Sequence, residues 1–253
     1  YVLSFQVFLS VSVGLNFYNA MTVNTEAAPA TSVSNLSPHH STSSIITTCV
    51  TCHRTKAART HHCWLCNVCI VKRDHHCFFM GTCIGQQNQK YFIVYCFYQF
   101  IAGLYYVVLS ALYLFKRFGF RFTFVKFVSL PFIIIYQTIL NPGSTDMYFS
   151  VCVGLMYGTL VAMLVGVCFF VWQMFLVVEG LTSFEARHTG EPAVDNENMT
   201  VAENIYDVFP GGVLKYFINP FTRPSKSLTM KQSADGTKSY STKGKGKSSN
   251  KIR

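Results

Sequence analysis

Cys49-x2-Cys52-x9-His62-Cys63-x2-Cys66-x2-Cys69-x4-Asp74-His75-His76-Cys77-x5-Cys83-x4-Asn88-x3-Phe92 is the stretch from which the rest of the chain is read. Seven of the ten cysteines fall inside it. A Cys-x2-Cys step lets two thiolates close on one tetrahedral ion, and Zn²⁺ is the usual occupant of such sulfur and imidazole sets. Cys49/Cys52 is one such step, and Cys63/Cys66/Cys69 supplies two overlapping ones. Two tetrahedral ions need eight ligands. The stretch offers its cysteines together with His53, His61, His62, His75 and His76. Six thiols and two imidazoles would fill both ions and leave one thiol over.

Proximity alone does not identify that thiol. Cys77 is the best candidate because it follows two histidines and an aspartate. An imidazole beside a thiol lowers its pKa or takes its proton, and a carboxylate orients the imidazole. On one reading Asp74 orients, His75 is the base, Cys77 is the nucleophile and His76 turns away to metal. On the other, Cys77 is one more ligand and Asp74 a solvated charge. Spacing leaves both open.

Half of the residues are apolar, 15% are aromatic and only 13% are charged, against about 25% charged in a soluble domain. Mean hydropathy is positive, so a membrane protein is the first expectation. Residues 1–21 form an apolar block near the ~20 residues a spanning helix needs. No initiator Met and no basic leader precede it, so the expectation is an upstream truncation rather than a cleaved signal peptide. Residues 22–48 read as a flexible Ser/Thr/Ala/Pro linker.

Beyond the cysteine stretch, residues 91–115 carry no charge between Lys90 and Lys116 and read as a spanning helix. Within the loop 116–146, residues 127–140 are apolar, too short to span comfortably and contain Pro131, which points to an interfacial or re-entrant segment. Residues 147–178 form the third span, closed by Glu179 and Gly180. Its Gly154, Gly158, Ala162 and Gly166 recur every four positions, which would put them on one face that permits close helix contact, against the alternative of ordinary glycine tolerance in a membrane helix. Residues 179–224 read as a polar C-terminal segment, and 225–253 as a basic, disordered Lys/Ser/Gly tail.

If 91–115 and 147–178 both span, the cysteine stretch and the C-terminal segment share one side. Both are basic, and the positive-inside rule makes that side cytosolic. Lys116, Arg117, Arg121 and Lys126 run against this assignment, and a spanning 127–140 would reverse the parity. A reducing compartment suits free thiols, and the sequons at Asn35 and Asn198 are then expected to be silent. The formal charge of +10 is concentrated on this shared side, which favours anionic lipid over nucleic acid.

Over its whole length, including Asn88 and Phe92, the cysteine stretch resembles the cysteine-rich domain of the Asp-His-His-Cys protein S-acyltransferases, the palmitoyltransferases. The resemblance implies that Cys49, Cys52, His62 and Cys69 hold one structural zinc and Cys63, Cys66, His76 and Cys83 a second. It implies Asp74, His75 and Cys77 as catalytic residues, with acyl-coenzyme A as co-substrate. The acyl group would pass to Cys77 and then to a cysteine of a cytosolic or membrane-anchored protein. Arg59, Lys72, Arg73 and Lys90 then become candidate contacts for the coenzyme phosphates, against the alternative of ordinary juxtamembrane charge. Phe78, Phe79, Tyr91, Tyr95, Tyr98, Tyr105 and Tyr106 could line an acyl cavity or simply pack.

Thr182-Ser183-Phe184-Glu185 is similar to the family's Thr-Thr-x-Glu element, and Asn204-x3-Val208-Phe209 resembles a later one, with Pro210 where Gly often stands. The family usually has four or more spans and an Asp-Pro-Gly element before the cysteine-rich domain; this chain shows three spans, and residues 21–48 contain no such element. The expected fold is an α-helical multi-pass membrane protein with a small zinc-stabilised cytosolic cysteine-rich domain between spans, in the endoplasmic reticulum, Golgi or plasma membrane. A RING-type ligase would need a final Cys-x2-Cys pair, and none follows Cys83. A non-catalytic zinc-stabilised membrane scaffold is the alternative function.

Overall fold

The computed structural model describes residues 2–23, 25–26, 47–56, 58–119, 123–141, 146–188, 199–219, 221, 229–232 and 238–241. Both sequon asparagines, most of the linker and most of the basic tail lie outside the described residues.

The apolar blocks are helices. α1 (Val2–Thr22) contains no charge and no proline. Its buried Leu9, Ser12, Asn16 and Ala20 fall at steps of three and four, which puts them on one face. Asn16 donates its amide to Ser12 O at 2.8 Å, so that side chain finds its partner within the helix. α2 (Gln89–Phe118) and α4 (Met147–Glu179) are, among the described residues, the two helices long and apolar enough to cross a membrane. They form the main helix pair, and α1 lies along α2. α4 starts where the Asp146 carboxylate accepts from the Tyr148 and Phe149 amides, and stops at Gly180, whose φ of 69° is the left-handed turn that ends a helix.

Close contact between α2 and α4 comes from two glycines. A Cβ at Gly103 would lie 2.6 Å from Met163 Cβ, and one at Gly166 would lie 3.1 Å from Cys96 O. Of the four-residue stripe expected to make that contact, Gly166 does so, whereas a Cβ on Gly154 or Gly158 would meet nothing within 4 Å. A step of four residues advances about 40° around a 3.6-residue helix. Three steps therefore carry Gly154 off the face that Gly166 occupies.

Residues 127–140 belong to a longer helix, α3 (Phe124–Leu140), opened by the Thr123 hydroxyl and containing Pro131. Its Leu130 packs with Leu114 of α2 and Val153 and Met156 of α4.

Between α1 and α2 stand three antiparallel hairpins: β1 (Thr47–Thr48) with β2 (Thr55–Lys56), β3 (His61–Cys63) with β4 (Val68–Ile70), and β5 (His75–Cys77) with β6 (Thr82–Ile84). The tight turns place His53 (φ 52°), Asn67 (φ 54°) and Gly81 (φ 62°) in the left-handed region at intervals of fourteen residues. The linker is not wholly detached from this unit. Thr25 O accepts from the Val71 amide at 3.1 Å and Glu26 bridges Ile70, because the outer edge of β4 has backbone groups left to pair.

The C-terminal segment folds back as α5 (Ser183–His188), α6 (Val201–Val208) and α7 (Val213–Ile218). Thr200 and Glu203 close a capping box on α6. Val208, Phe209 and Tyr216 enter one core with Cys77, Met80, Ile84, Tyr91, Phe92 and Val177, so that core joins hairpin, spanning helices and C-terminal segment. Within the tail expected to be disordered, β7 (Thr229–Gln232) pairs with β8 (Lys238–Ser241), where Thr and Tyr are residue types that favour strands.

Candidate active site and metal centres

Two sets of side chains converge: Cys49, Cys52, His62 and Cys69, and Cys63, Cys66, His76 and Cys83. In the first, Cys52 Sγ lies 3.2 Å from His62 Nδ1 and 3.8 Å from Cys69 Sγ; in the second, Cys66 Sγ lies 3.3 Å from His76 Nδ1 and 3.7 Å from Cys83 Sγ. Tetrahedral Zn–S and Zn–N bonds of about 2.0–2.3 Å give ligand separations of roughly 3.3–3.8 Å, so the donor sets fit zinc. The β3/β4 and β5/β6 hairpins each carry a histidine directly across from a cysteine, His62 opposite Cys69 and His76 opposite Cys83. Each set is completed by the Cys-x2-Cys turn one hairpin earlier. Every member of the second set lies fourteen residues after its counterpart in the first.

That fourteen-residue interval is itself visible in the sequence. A third copy would draw on positions 77, 80, 90 and 97, which are Cys77, Met80, Lys90 and Phe97. Only the thiol survives. Cys77 thus keeps the turn geometry of a zinc ligand, with the Met80 amide donating to Cys77 O at 3.2 Å, while the rest of its set has gone.

Strand alternation then separates the two histidines. Residues i and i+2 share a face, so His75 and Cys77 lie together and His76 points the other way, into the second metal set. His75 Nδ1 is 2.6 Å from Asp74 Oδ2, and its edge rests against Phe92 with ring centroids 5.2 Å apart. Asp74 is buried and heavily satisfied: the Ser183 amide donates to Oδ1 at 2.6 Å, and the Ser183 hydroxyl and Gln173 Nε2 donate to Oδ2 at 3.0 and 2.7 Å.

Burial opposes ionisation of Asp74, yet the His75, Ser183 and Gln173 hydrogen bonds hold its pKa below the usual carboxylate range. Burial likewise opposes charge on His75, but hydrogen bonds to Asp74 and Cys77 raise its pKa to about 9. For Cys77, burial pushes the pKa up, and the His75 hydrogen bond together with backbone donors at Met80 and Phe79 outweighs it, so the thiol ionises more readily than usual. The trio therefore favours a thiolate–imidazolium pair beside a fixed carboxylate, the arrangement of an activated sulfur nucleophile.

A profile of the DHHC palmitoyltransferase family matches residues 42–189. The chain belongs to the DHHC palmitoyltransferase family. No curated protein matches it. Membership brings palmitoyltransferase activity at the level of the family, and the matched residues take in both metal sets, the Cys77 hairpin, the helices α2 to α4 and α5.

The other family-like residues act as ties. Asn88 accepts from the Gly85 amide at 2.8 Å and donates to Ala20 O and Cys83 O at 2.8 and 2.9 Å, joining the end of α1 to the start of α2. Asn204 donates to Val178 O. Of the four basic residues expected near coenzyme phosphates, Arg59 forks onto Glu185 at 2.7 and 2.6 Å and reaches Gly180 O at 2.9 Å. Lys72 pairs with Asp207 at 2.5 Å. Arg73 lies over Phe184 and donates to His62 O, and Lys90 sits between the rings of Tyr91 and Tyr216. Gln173 was not anticipated. Its signal was available: it is the one side-chain amide in α4.

Proposed function

We propose that this chain is a membrane-spanning protein S-acyltransferase that carries a long-chain acyl group on Cys77 between acyl-coenzyme A and a cysteine of a substrate protein. The observation that carries the reading is the Asp74–His75–Cys77 alignment in a chain whose other hairpin thiols gather into two metal sets.

Cys77 Sγ attacks the thioester carbonyl, and the coenzyme thiolate leaves with the proton held by His75. In the second half, His75 takes the proton of the substrate thiol, whose sulfur attacks the Cys77 thioester and releases the Cys77 thiolate. One thioester replaces another each time, so positioning dominates the rate, and general-base assistance contributes about 10²- to 10⁴-fold. Asp74 keeps the imidazole aimed in both halves. Zinc held by the two sets of four would supply folding energy rather than Lewis acidity, because each set is closed.

The apolar exterior of α2 and α4 supports spanning, with the hairpins and the C-terminal segment on the cytosolic side. A cavity between α1, α2 and α4, lined among others by Val13, Gly14, Gln99, Ala102, Gly103 and Tyr106, would take the acyl chain. Each methylene it buries is worth about 0.8 kcal/mol. Arg73 and Lys90, which have no carboxylate partner among the described residues, remain to meet the coenzyme phosphates.

Incubation of the detergent-solubilised chain with a clickable palmitoyl-coenzyme A tests the proposal. Thioester labelling that disappears in Cys77→Ser, with zinc content unchanged, is the expected result. Equal labelling of the serine variant would refute the assignment of Cys77, and an unlabelled parent would favour the non-catalytic scaffold.

A further inference from the structure

Asp74 is held from two directions. Ser183 approaches from the start of α5, and Gln173 from the last turns of α4. The second of these contacts has a support of its own. Gln173 and Gln89 are both almost fully buried, and Gln89 Nε2, in the first turn of α2, donates to Gln173 Oε1 at 3.1 Å. A primary amide has an acceptor end and a donor end. With Gln89 filling the acceptor end, the NH₂ of Gln173 is left to face Asp74 Oδ2. Were the Gln173 amide to turn over, its oxygen would oppose the carboxylate and its NH₂ would oppose that of Gln89, and both contacts would be lost in a site closed to water.

We propose that Gln89 and Gln173 form a two-amide positioning relay that fixes the orientation of the Asp74 carboxylate, and through it the His75 ring, making the reactivity of Cys77 depend on the packing of α2 against α4. The relay rests on the acyl-transfer reading for its biological use, but not for its geometry. It gives a role to two amides that otherwise sit in apolar helix contacts, where unpaired polar groups are costly. Neither touches the reacting atoms. They are positioning residues, acting as hydrogen-bonded supports act behind a reactive imidazole.

The test uses the full chain in detergent, with Gln173→Met, Gln89→Leu and the double variant. Gln173→Met keeps the volume and removes the donor; the first-order rate of Cys77 acylation at saturating palmitoyl-coenzyme A is expected to fall roughly 10- to 100-fold. The concentration giving half-maximal rate and the zinc content are expected to stay as in the parent. Gln89→Leu is expected to slow acylation less, and to add nothing in the Gln173→Met background, because it acts through Gln173. Gln173→Asn, one methylene short of bridging both partners, is expected to be slow as well and serves where the methionine variant folds poorly.

Acylation at the parental rate in Gln173→Met or Gln173→Asn would overturn the relay. So would a Gln89→Leu loss that persists undiminished in the double variant. Alkylation of Cys77 by iodoacetamide gives the same comparison without acyl-coenzyme A. An unlabelled parent would therefore count against the acyl-transfer reading alone, and unchanged alkylation in the Gln173 variants against the relay alone.

Discussion

The hairpin β3/β4 pairs His61 with Ile70, His62 with Cys69 and Cys63 with Val68; fourteen residues later β5/β6 pairs His75 with Ile84, His76 with Cys83 and Cys77 with Thr82. Register and strand lengths coincide, and so do the residue types except Val68 against Thr82. The two hairpins differ at the positions around them. Cys66 in the first turn becomes Met80 in the second, and Thr60 ahead of β3 becomes Asp74 ahead of β5.

The first change releases a thiol. Cys63 and Cys66 close together on the second metal set, whereas Met80 goes into the core beside a Cys77 that no set includes. The second change puts a carboxylate beside the histidine that follows, and the two histidines differ in charge state. His61 is pushed down to about 4, first by burial and then by Lys56, with Arg73 and His188 adding to the effect against Glu185, and it stacks on Phe184 at 3.9 Å. The Thr60 hydroxyl ahead of it is buried and finds no partner among the described residues. His75, with a carboxylate in that place, is raised to about 9. One scaffold thus gives a neutral packing histidine in one copy and an imidazolium beside a thiol that ionises more readily than usual in the other.

The comparison breaks first at the cysteines. Cys63→Ser is expected to lose zinc and the folded domain together, since removal of a structural ligand removes metal-linked folding energy. Zinc stoichiometry and the helical melting curve check this. Cys77→Ser, at the equivalent position, should leave both intact.

Next come the residues ahead of the strands. Asp74→Asn is expected to slow acylation of Cys77 by about 10²- to 10⁴-fold, while Thr60→Ala should leave the rate within roughly twofold of the parent, because no bond is removed. Single-turnover labelling of the two variants measures the contrast.

A pH profile sharpens the account of the pair. Because the Cys77 pKa is lowered and that of His75 raised to about 9, the thiolate is present below the ordinary thiol range of about 8.5 and is lost only as pH falls through its own depressed pKa. The midpoint of Cys77 alkylation should lie below that range, and His75→Ala should move it upward.

The smallest effect belongs to the turns. Gly81→Ala forces a side chain into the left-handed region at φ 62° and is expected to destabilise by about 1 kcal/mol. Asn67→Gly, at the matching position, should be neutral to within a few tenths. Denaturant midpoints of the zinc-loaded domain decide between them.

Local features were legible in the sequence and distant ones were not. The grouping of eight side chains into two sets of four is the one the family resemblance implies, because Cys-x2-Cys turns and hairpin-opposed His and Cys operate over a few residues. The positions of α2 and α4 followed from uncharged apolar runs. The partners of Asp74 did not: Gln173 is 99 residues away, and the Ser183 contact uses a backbone amide that no side-chain motif reports. Arg59 looked like a free cation, yet its fork is filled by Glu185, 126 residues on. The four-residue glycine stripe was read as one face although the helix turns beneath it.

What the sequence settled alone was which atoms can ionise or bind metal, and how they alternate along short strands, since both depend on residue type and on distances of one or two peptide units. Tertiary structure decided which of those atoms stand apart from the metal sets and beside a fixed carboxylate. A carboxylate stays charged in a buried site, and an imidazole keeps one orientation, only when donors from α4 and α5 are brought against it, and chain folding alone sets that approach.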